Sequence, residues 1–220
     1  MQVMNAATQV TVEAHDFGPR DFIAGDPALD LVNTVKGRGE SPHDWLDSYS
    51  RLLEWAERAR LLPERAVRTL AKEAQFEPAA ALRSLGRAKA LREEMFATLK
   101  ALTSQQTPPP SSLALIRKFW IEGAAAHELR FDQGQLRAQL RDEIDDLDLV
   151  AAIVAYRMVE HILPLPLDRL RMCHGQNCAW VFIDSSKAGR RRWCDMAVCG
   201  NAAKSARFYA RSRRRAQVRA

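Results

Sequence analysis

The chain has 220 residues, 47% of them hydrophobic, and a formal net charge of +6 at pH 7. That size suits one ordinary domain, or a medium domain with a small one beside it, and the apolar share excludes a disordered or fibrous chain. No apolar run approaches the ~18 residues of a membrane span, and the opening MQVMNAATQVTVEAHDF lacks the basic start and apolar stretch of a signal peptide, so a cytoplasmic protein with no membrane partner is expected.

In chain order, the loose alternation of VTVEAHDF at 10–17 predicts a strand. GDPALDLVNTV at 25–35 predicts a helix, with Asp26 as its cap and Pro27 at the first helical position, where a missing N–H costs nothing. Ser41-Pro42-His43-Asp44 has the spacing of a second helix start, followed by an apolar side of Leu46, Tyr49, Leu52, Leu53 and Ala56. Pro63 and Pro78 open two more helices, the second long and apolar at Leu82, Leu85, Ala88, Leu91, Met95 and Leu99.

TSQQTPPPSS at 103–112 reads as a loop, LALIRKFWIEGAAA as a helix, and HELRFDQGQLRAQLR at 127–141 as a hairpin turning at Asp132-Gln133-Gly134. The segment 143–163 is the most apolar helix and the expected centre of the fold. LPLP at 163–166 ends it, because proline cannot continue a helix. There the charge changes sign. Residues 169–220 hold 13 basic and 2 acidic side chains, a net charge of +11, against 20 basic and 25 acidic before them, a net charge of −5. The expected architecture is α+β, with a mostly helical domain at 1–166 carrying a small hairpin or sheet, and a small basic module at 167–220.

The four cysteines all lie in the basic part, as Cys173-x4-Cys178, a gap of fifteen residues, and Cys194-x4-Cys199. Two close pairs separated by such a gap are what a closed tetrahedral site needs, since each short loop brings two thiolates to one ion. Reduced thiols in the cytosol point to metal before disulfide. Zinc is preferred because four sulfurs satisfy it and leave no open position; iron is the metal alternative. His174, between the first two cysteines, competes as a ligand. LRMC and AWVFID read as short strands around the first pair, and a helix follows the second, with Cys199 near its start. A knuckle, a hairpin and a helix carrying the last ligand describe a treble-clef finger.

On that last helix Lys204, Arg207, Arg211, Arg214 and Arg215 share an arc of roughly 100°. Arg190, Arg191 and Arg192 precede Cys194 and lie near the helix start. One basic stripe beside a second basic cluster is an electrostatic footprint for phosphates, DNA before RNA. Arginine contacts to phosphate position a protein without reading sequence.

These residues resemble the CGNR zinc-finger family. The segment CAWVFIDSSKAGRRRWCDMAVCGN places Phe182, Asp184, Ser185, Arg192, Trp193, Met196, Gly200 and Asn201 where that family has its matching residues. It departs at the fourth signature position, where Ala202 stands instead of arginine. FIAGDPALDLVNTV, with Gly25, Leu29, Asp30, Asn33 and Thr34, is similar to the ABATE domain that accompanies the finger. The resemblance implies an α+β domain, a treble-clef finger and a stress-linked bacterial transcription regulator.

Asp30, Asn33 and Thr34 share one helical face. They either tie the helix to a neighbouring loop by buried hydrogen bonds or form the polar end of a small-molecule pocket. The sequence holds no phosphate-binding glycine loop, HExxH or nucleophile elbow, and His15, His43, His127 and His161 are scattered. Three readings follow: a DNA-binding regulator whose first domain senses an effector or forms a partner interface, a small-molecule binder or enzyme capped by a structural finger, and a module that binds an acidic protein. Assembly of like copies stays open under each.

Overall fold

A computed structural model of the chain describes residues 10–142 and 145–218, with the side chains of the last helix described through Ser212. Strand β1 is only Thr11–Val12, shorter than the alternation at 10–17 predicts, and a tight helical turn follows at Pro19–Asp21. Helix α1 spans Pro27–Val32, where the Asp26 carboxylate accepts the Ala28 N–H at 2.8 Å. The chain then forms β2, Val35–Lys36, and β3, His43–Asp44. In this small sheet β3 lies in the middle, parallel to β1 and antiparallel to β2, with Asp44 opposite both Val12 and Val35.

That sheet corrects the helix start expected at Ser41–Asp44. Asp44 is an anchor rather than a cap: its buried carboxylate takes both arms of Arg92, at 2.7 and 3.0 Å, Lys89 at 2.9 Å and the Leu46 N–H at 3.0 Å. Burial alone would raise the Asp44 pKa, but these donors hold it below the ordinary value. The helix starts a turn later, as α2, Tyr49–Arg58, where Ser48 Oγ accepts the Arg51 N–H at 3.2 Å.

Three helices follow: α3, Glu64–Phe76, α4, Pro78–Thr103, and α5, Pro110–Ala125. The hairpin of β4, His127–Asp132, and β5, Gln135–Leu140, turns on Gln133 and Gly134, both at positive φ. Of the apolar segment at 143–163, residues 143–144 lie outside the described residues. Helix α6 starts at Leu149, runs to Arg157, and widens into a wider turn at Met158–Ile162. Every residue from Leu149 to Ala155 is buried, and α1, α2, α4 and α5 all touch α6. A helix that is apolar on all sides belongs in the middle.

The α5–α6 contact is close because α5 presents Gly123. A Cβ there would enter the Ala152 carbonyl oxygen and stand 2.8 Å from Tyr156 Cβ. No helix among the described residues is long and apolar enough to cross a membrane.

The basic part begins with β6, Leu170–Met172, paired antiparallel with β7, Val181–Ile183, and ends in α7, Asn201–Val218. Its buried side chains continue the main core: Leu170, Trp180, Val181 and Phe182 belong to one apolar cluster with Leu29, Trp45 and Leu91. The junction is also bonded. Asn33 Nδ2 donates to the Val181 carbonyl at 2.9 Å, and its Oδ1 accepts the Val181 N–H at 2.9 Å. The Ile183 N–H donates to the Ala24 carbonyl at 2.8 Å.

Gly123→Ala is expected to cost about 2–3 kcal/mol of stability by overpacking the α5–α6 contact. The measure is the midpoint of urea unfolding, and a midpoint equal to wild type would mean the contact has slack.

Candidate metal centre and nucleic-acid interface

The hairpin β6–β7 sets the geometry of the sulfurs. Cys173 follows β6 directly, the loop through Cys178 reverses the chain, and β7 carries it back. A second loop reaches Cys194, held by Asp184, whose buried carboxylate accepts the N–H groups of Ser186 at 3.0 Å and Arg191 at 2.8 Å. The widened helical turn Met196–Gly200 then presents Cys199 just ahead of α7, with Asp195 capping the N–H groups of Ala197 and Val198.

The four sulfurs lie within 4.8 Å of one another, with Cys194 at 3.6 Å from Cys178 and 3.7 Å from Cys199. Sulfurs at ~2.3 Å from one tetrahedral ion stand about 3.8 Å apart, and a disulfide needs about 2.05 Å. The cluster therefore has the spacing of a metal site and not of two disulfides. Backbone N–H groups of Gly175 and Cys194 point at Cys173 Sγ, at 3.4 and 3.3 Å. Thiolates are the ligand form, so an ion must displace the thiol protons and metal affinity weakens as the pH is lowered. His174 stays outside the sulfur cluster, exposed and 3.4 Å from the Arg192 guanidinium.

Gly175 fits beneath this cluster because it has no side chain. A Cβ there would stand 3.1 Å from both Cys178 Cβ and Cys199 Sγ.

The expected cationic residues divide. Arg190 is exposed, and Arg192 is exposed with its guanidinium 5.4 Å from the Trp193 ring centre. Arg191 differs from the expectation. Its guanidinium turns inward over Phe182, at 4.5 Å, and donates to the carbonyls of Trp193, at 3.0 Å, and Cys194. It braces the loop that presents Cys194 and is largely spent on that. Lys204, Arg207 and Arg211 are exposed on α7, and Arg207 also reaches back to the Ala203 carbonyl at 3.2 Å. Arg214 and Arg215 continue the same helix, but their side chains lie outside those described. Tyr209 is exposed beside Phe208.

Asp30, Asn33 and Thr34 are all buried. Asp30 accepts the Ala24 N–H at 3.0 Å. Asn33 holds Val181. Thr34 donates to the Leu31 carbonyl at 2.7 Å and accepts from Arg92 at 3.1 Å. None of the three lines the cavity bounded by Trp45 and Trp180 or the one bounded by Ser104 and Met172. Burial raises the Asp30 pKa to about 7; the Ala24 N–H partly opposes it and neighbouring Asp26 adds repulsion.

The scattered histidines each have a local role: His15 stacks on Trp45 at 3.8 Å and meets Asp21 at 3.0 Å, His43 meets Glu13 at 3.0 Å, and His127 donates to the Gly123 carbonyl at 2.7 Å. His161 is 3.7 Å from Asp26, which Arg157 holds at 2.7 Å.

A cavity of about 500 Å³ lies where the finger meets the first part of the chain. Trp45 and Trp180 form a T-shaped pair there at 5.9 Å, and Ala202 contributes its methyl group. No spacing in the sequence marked Trp45 as a partner of the finger. Asp184-Ser185-Ser186, by contrast, is a composition suited to the side-chain-closed turn it forms.

A family model named ABATE, described as "Putative stress-induced transcription regulator", matches residues 25–163, and one described as CGNR zinc finger matches residues 169–212. No curated protein matches the chain.

Gly175→Ala is expected to weaken metal binding about tenfold, the lower end of what displaced support around a metal costs, as measured by competition with a chromophoric chelator; equal affinity would show that Cys199 tolerates the crowding. Asp30→Asn carries a pH signature. Burial places the folded pKa of Asp30 at about 7, against 3.8 for an exposed aspartate. Its charge therefore costs nothing below the lower value, costs progressively more between the two, and costs a constant amount above the upper. The melting-temperature advantage of Asp30→Asn over wild type should rise from pH 5 to pH 8, by an equivalent of about 2–3 kcal/mol. An advantage independent of pH would count against a buried, uncharged Asp30 at low pH.

Proposed function

The chain belongs to the ABATE family, and from that premise we propose that it is a DNA-binding transcription regulator whose finger is built on zinc. The reading rests on one observation: an exposed cationic helix leaves directly from the four-sulfur cluster. Cys173, Cys178, Cys194 and Cys199 would hold the ion, which supplies structural closure and leaves no position open for chemistry. The hairpin, knuckle and following helix support a treble clef. A module this small has little core of its own, so metal and docking together supply its stability.

Arg190, Arg192, Lys204, Arg207 and Arg211 make the phosphate-facing surface, continued by Arg214 and Arg215 along the helix. Arg191 shapes the loop that carries the first two. The acidic first part of the chain repels a polyanion, which leaves the finger as the docking end. DNA is favoured over RNA by the family description alone, because the charge serves either. A second reading, that the first domain binds a small molecule, draws support from the cavity at its contact with the finger.

The test is fluorescence anisotropy of a labelled duplex with the zinc-loaded full chain over a range of salt. Affinity is expected to fall steeply with salt. The triple variant Lys204→Gln, Arg207→Gln, Arg211→Gln should bind more weakly and lower the logarithmic salt slope by about 2–3. Binding equal to wild type would remove α7 from the interface, and tighter binding to an RNA of equal length would replace DNA as the ligand.

A further inference from the structure

The cavity between the two halves has features that the regulator reading does not use. Its walls are predominantly apolar, built around Trp45, Trp180 and His15, and it lies within the ~300–1,000 Å³ range of ligand sites. The finger supplies another wall through Cys178, Cys199 and Val198, so neither half forms the site alone.

The formal charges at the rim balance, Arg20 and Lys36 against Asp21 and Asp195, but they differ in what already engages them. Asp21 is spent on His15 and the Gly18 N–H, at 3.0 and 2.7 Å. Asp195 caps the turn that carries Cys199. Arg20 reaches only Asp195, at 3.8 Å, and its side chain is 73% exposed. Lys36 is exposed and has no ion-pair partner among the described residues. The charged groups still open to a ligand are therefore the cations, Lys36 and the largely exposed Arg20, while the sulfur-lined wall is negative once four thiolates hold a divalent ion.

Ala202 bears on the same space. It lies in the first turn of α7 and lines the cavity, at the position where the resembling finger signature has arginine. A long cationic side chain at that place would extend into the cavity. Alanine leaves the volume open.

We propose that this cavity is a binding site for a small aromatic anion, opened by Ala202 and closed jointly by the first domain and the finger. The ring system lies against Trp45 and Trp180, and the negative end meets Lys36 and Arg20, away from the sulfur wall. Occupancy ties the base of α7 to the first domain. The binding step is independent of nucleic acid; only its effect on DNA rests on the regulator reading.

The test uses 2-naphthoate as probe, with 2-naphthalenemethanol as its neutral counterpart, on the zinc-loaded full chain without DNA. Isothermal titration should give saturable one-to-one binding of 2-naphthoate, and proton NMR should give contacts from its ring to the indoles of Trp45 and Trp180. Ala202→Arg, with unchanged zinc content and melting temperature, should weaken binding at least about tenfold. Lys36→Gln should weaken 2-naphthoate about threefold to fivefold and leave the alcohol unchanged. The proposal is overturned by absence of saturable binding to wild type, by contacts only to Trp55, Trp120 or Trp193, or by equal binding to folded Ala202→Arg. Should Ala202→Arg fail to fold, the NMR contacts and the Lys36→Gln comparison decide. Naphthoate binding by a chain that ignores DNA would sink the regulator reading and keep the site; DNA binding without naphthoate binding would do the reverse.

Discussion

Asn33 holds the backbone of Val181 by both of its polar groups, one donating and one accepting. A carboxamide used this way imitates the edge of a neighbouring strand. It satisfies β7 on a side where no strand is available, inside a core where an unpaired N–H or C=O is costly. The side chain that does this comes from the end of α1, whose other residues pack on α6. So the most buried helix, the first helix and the finger hairpin form one mechanical sequence. The Ile183–Ala24 bond and the Trp45–Trp180 contact extend the same junction on either side.

The metal centre depends on that junction. Between Cys178 and Cys194 the chain must travel along β7 and back through the loop braced by Asp184 and Arg191. Were β7 free to slide, the two cysteine pairs would lose their facing positions. Docking therefore holds the stretch of chain that separates Cys178 from Cys194. Asp44 and Arg92 do a comparable service for the first part of the chain. Their ion pair ties β3 to α4, and Thr34, the residue after Asn33, joins the same network.

The parts legible in the sequence are those with short-range causes. Proline and aspartate at 26–27 start α1, the hairpin turn is written in Asp132-Gln133-Gly134, and the cysteine spacing alone gives the sulfur cluster. All-round hydrophobicity marks α6 as central. What the sequence hides depends on distant partners. Ser41–Asp44 has the local grammar of a helix start, yet a buried arginine 48 residues away claims Asp44. Arg191 counts as a surface charge in any tally, and only the fold shows it turned onto its own loop. Asn33 carries no sign of which strand it will meet 148 residues later. Its helix face can be read, and its partner cannot.

Helix α7 touches the rest of the chain chiefly through the turn bearing Cys199. Its 18 residues at ~1.5 Å each extend roughly 27 Å beyond that turn. It is a cantilever with its fulcrum at the sulfurs. A tilt of about 10° there would sweep the far tip through roughly 5 Å, nearly one helical pitch. Small adjustments in how the knuckle seats are thereby magnified into displacements as large as the spacing between successive turns.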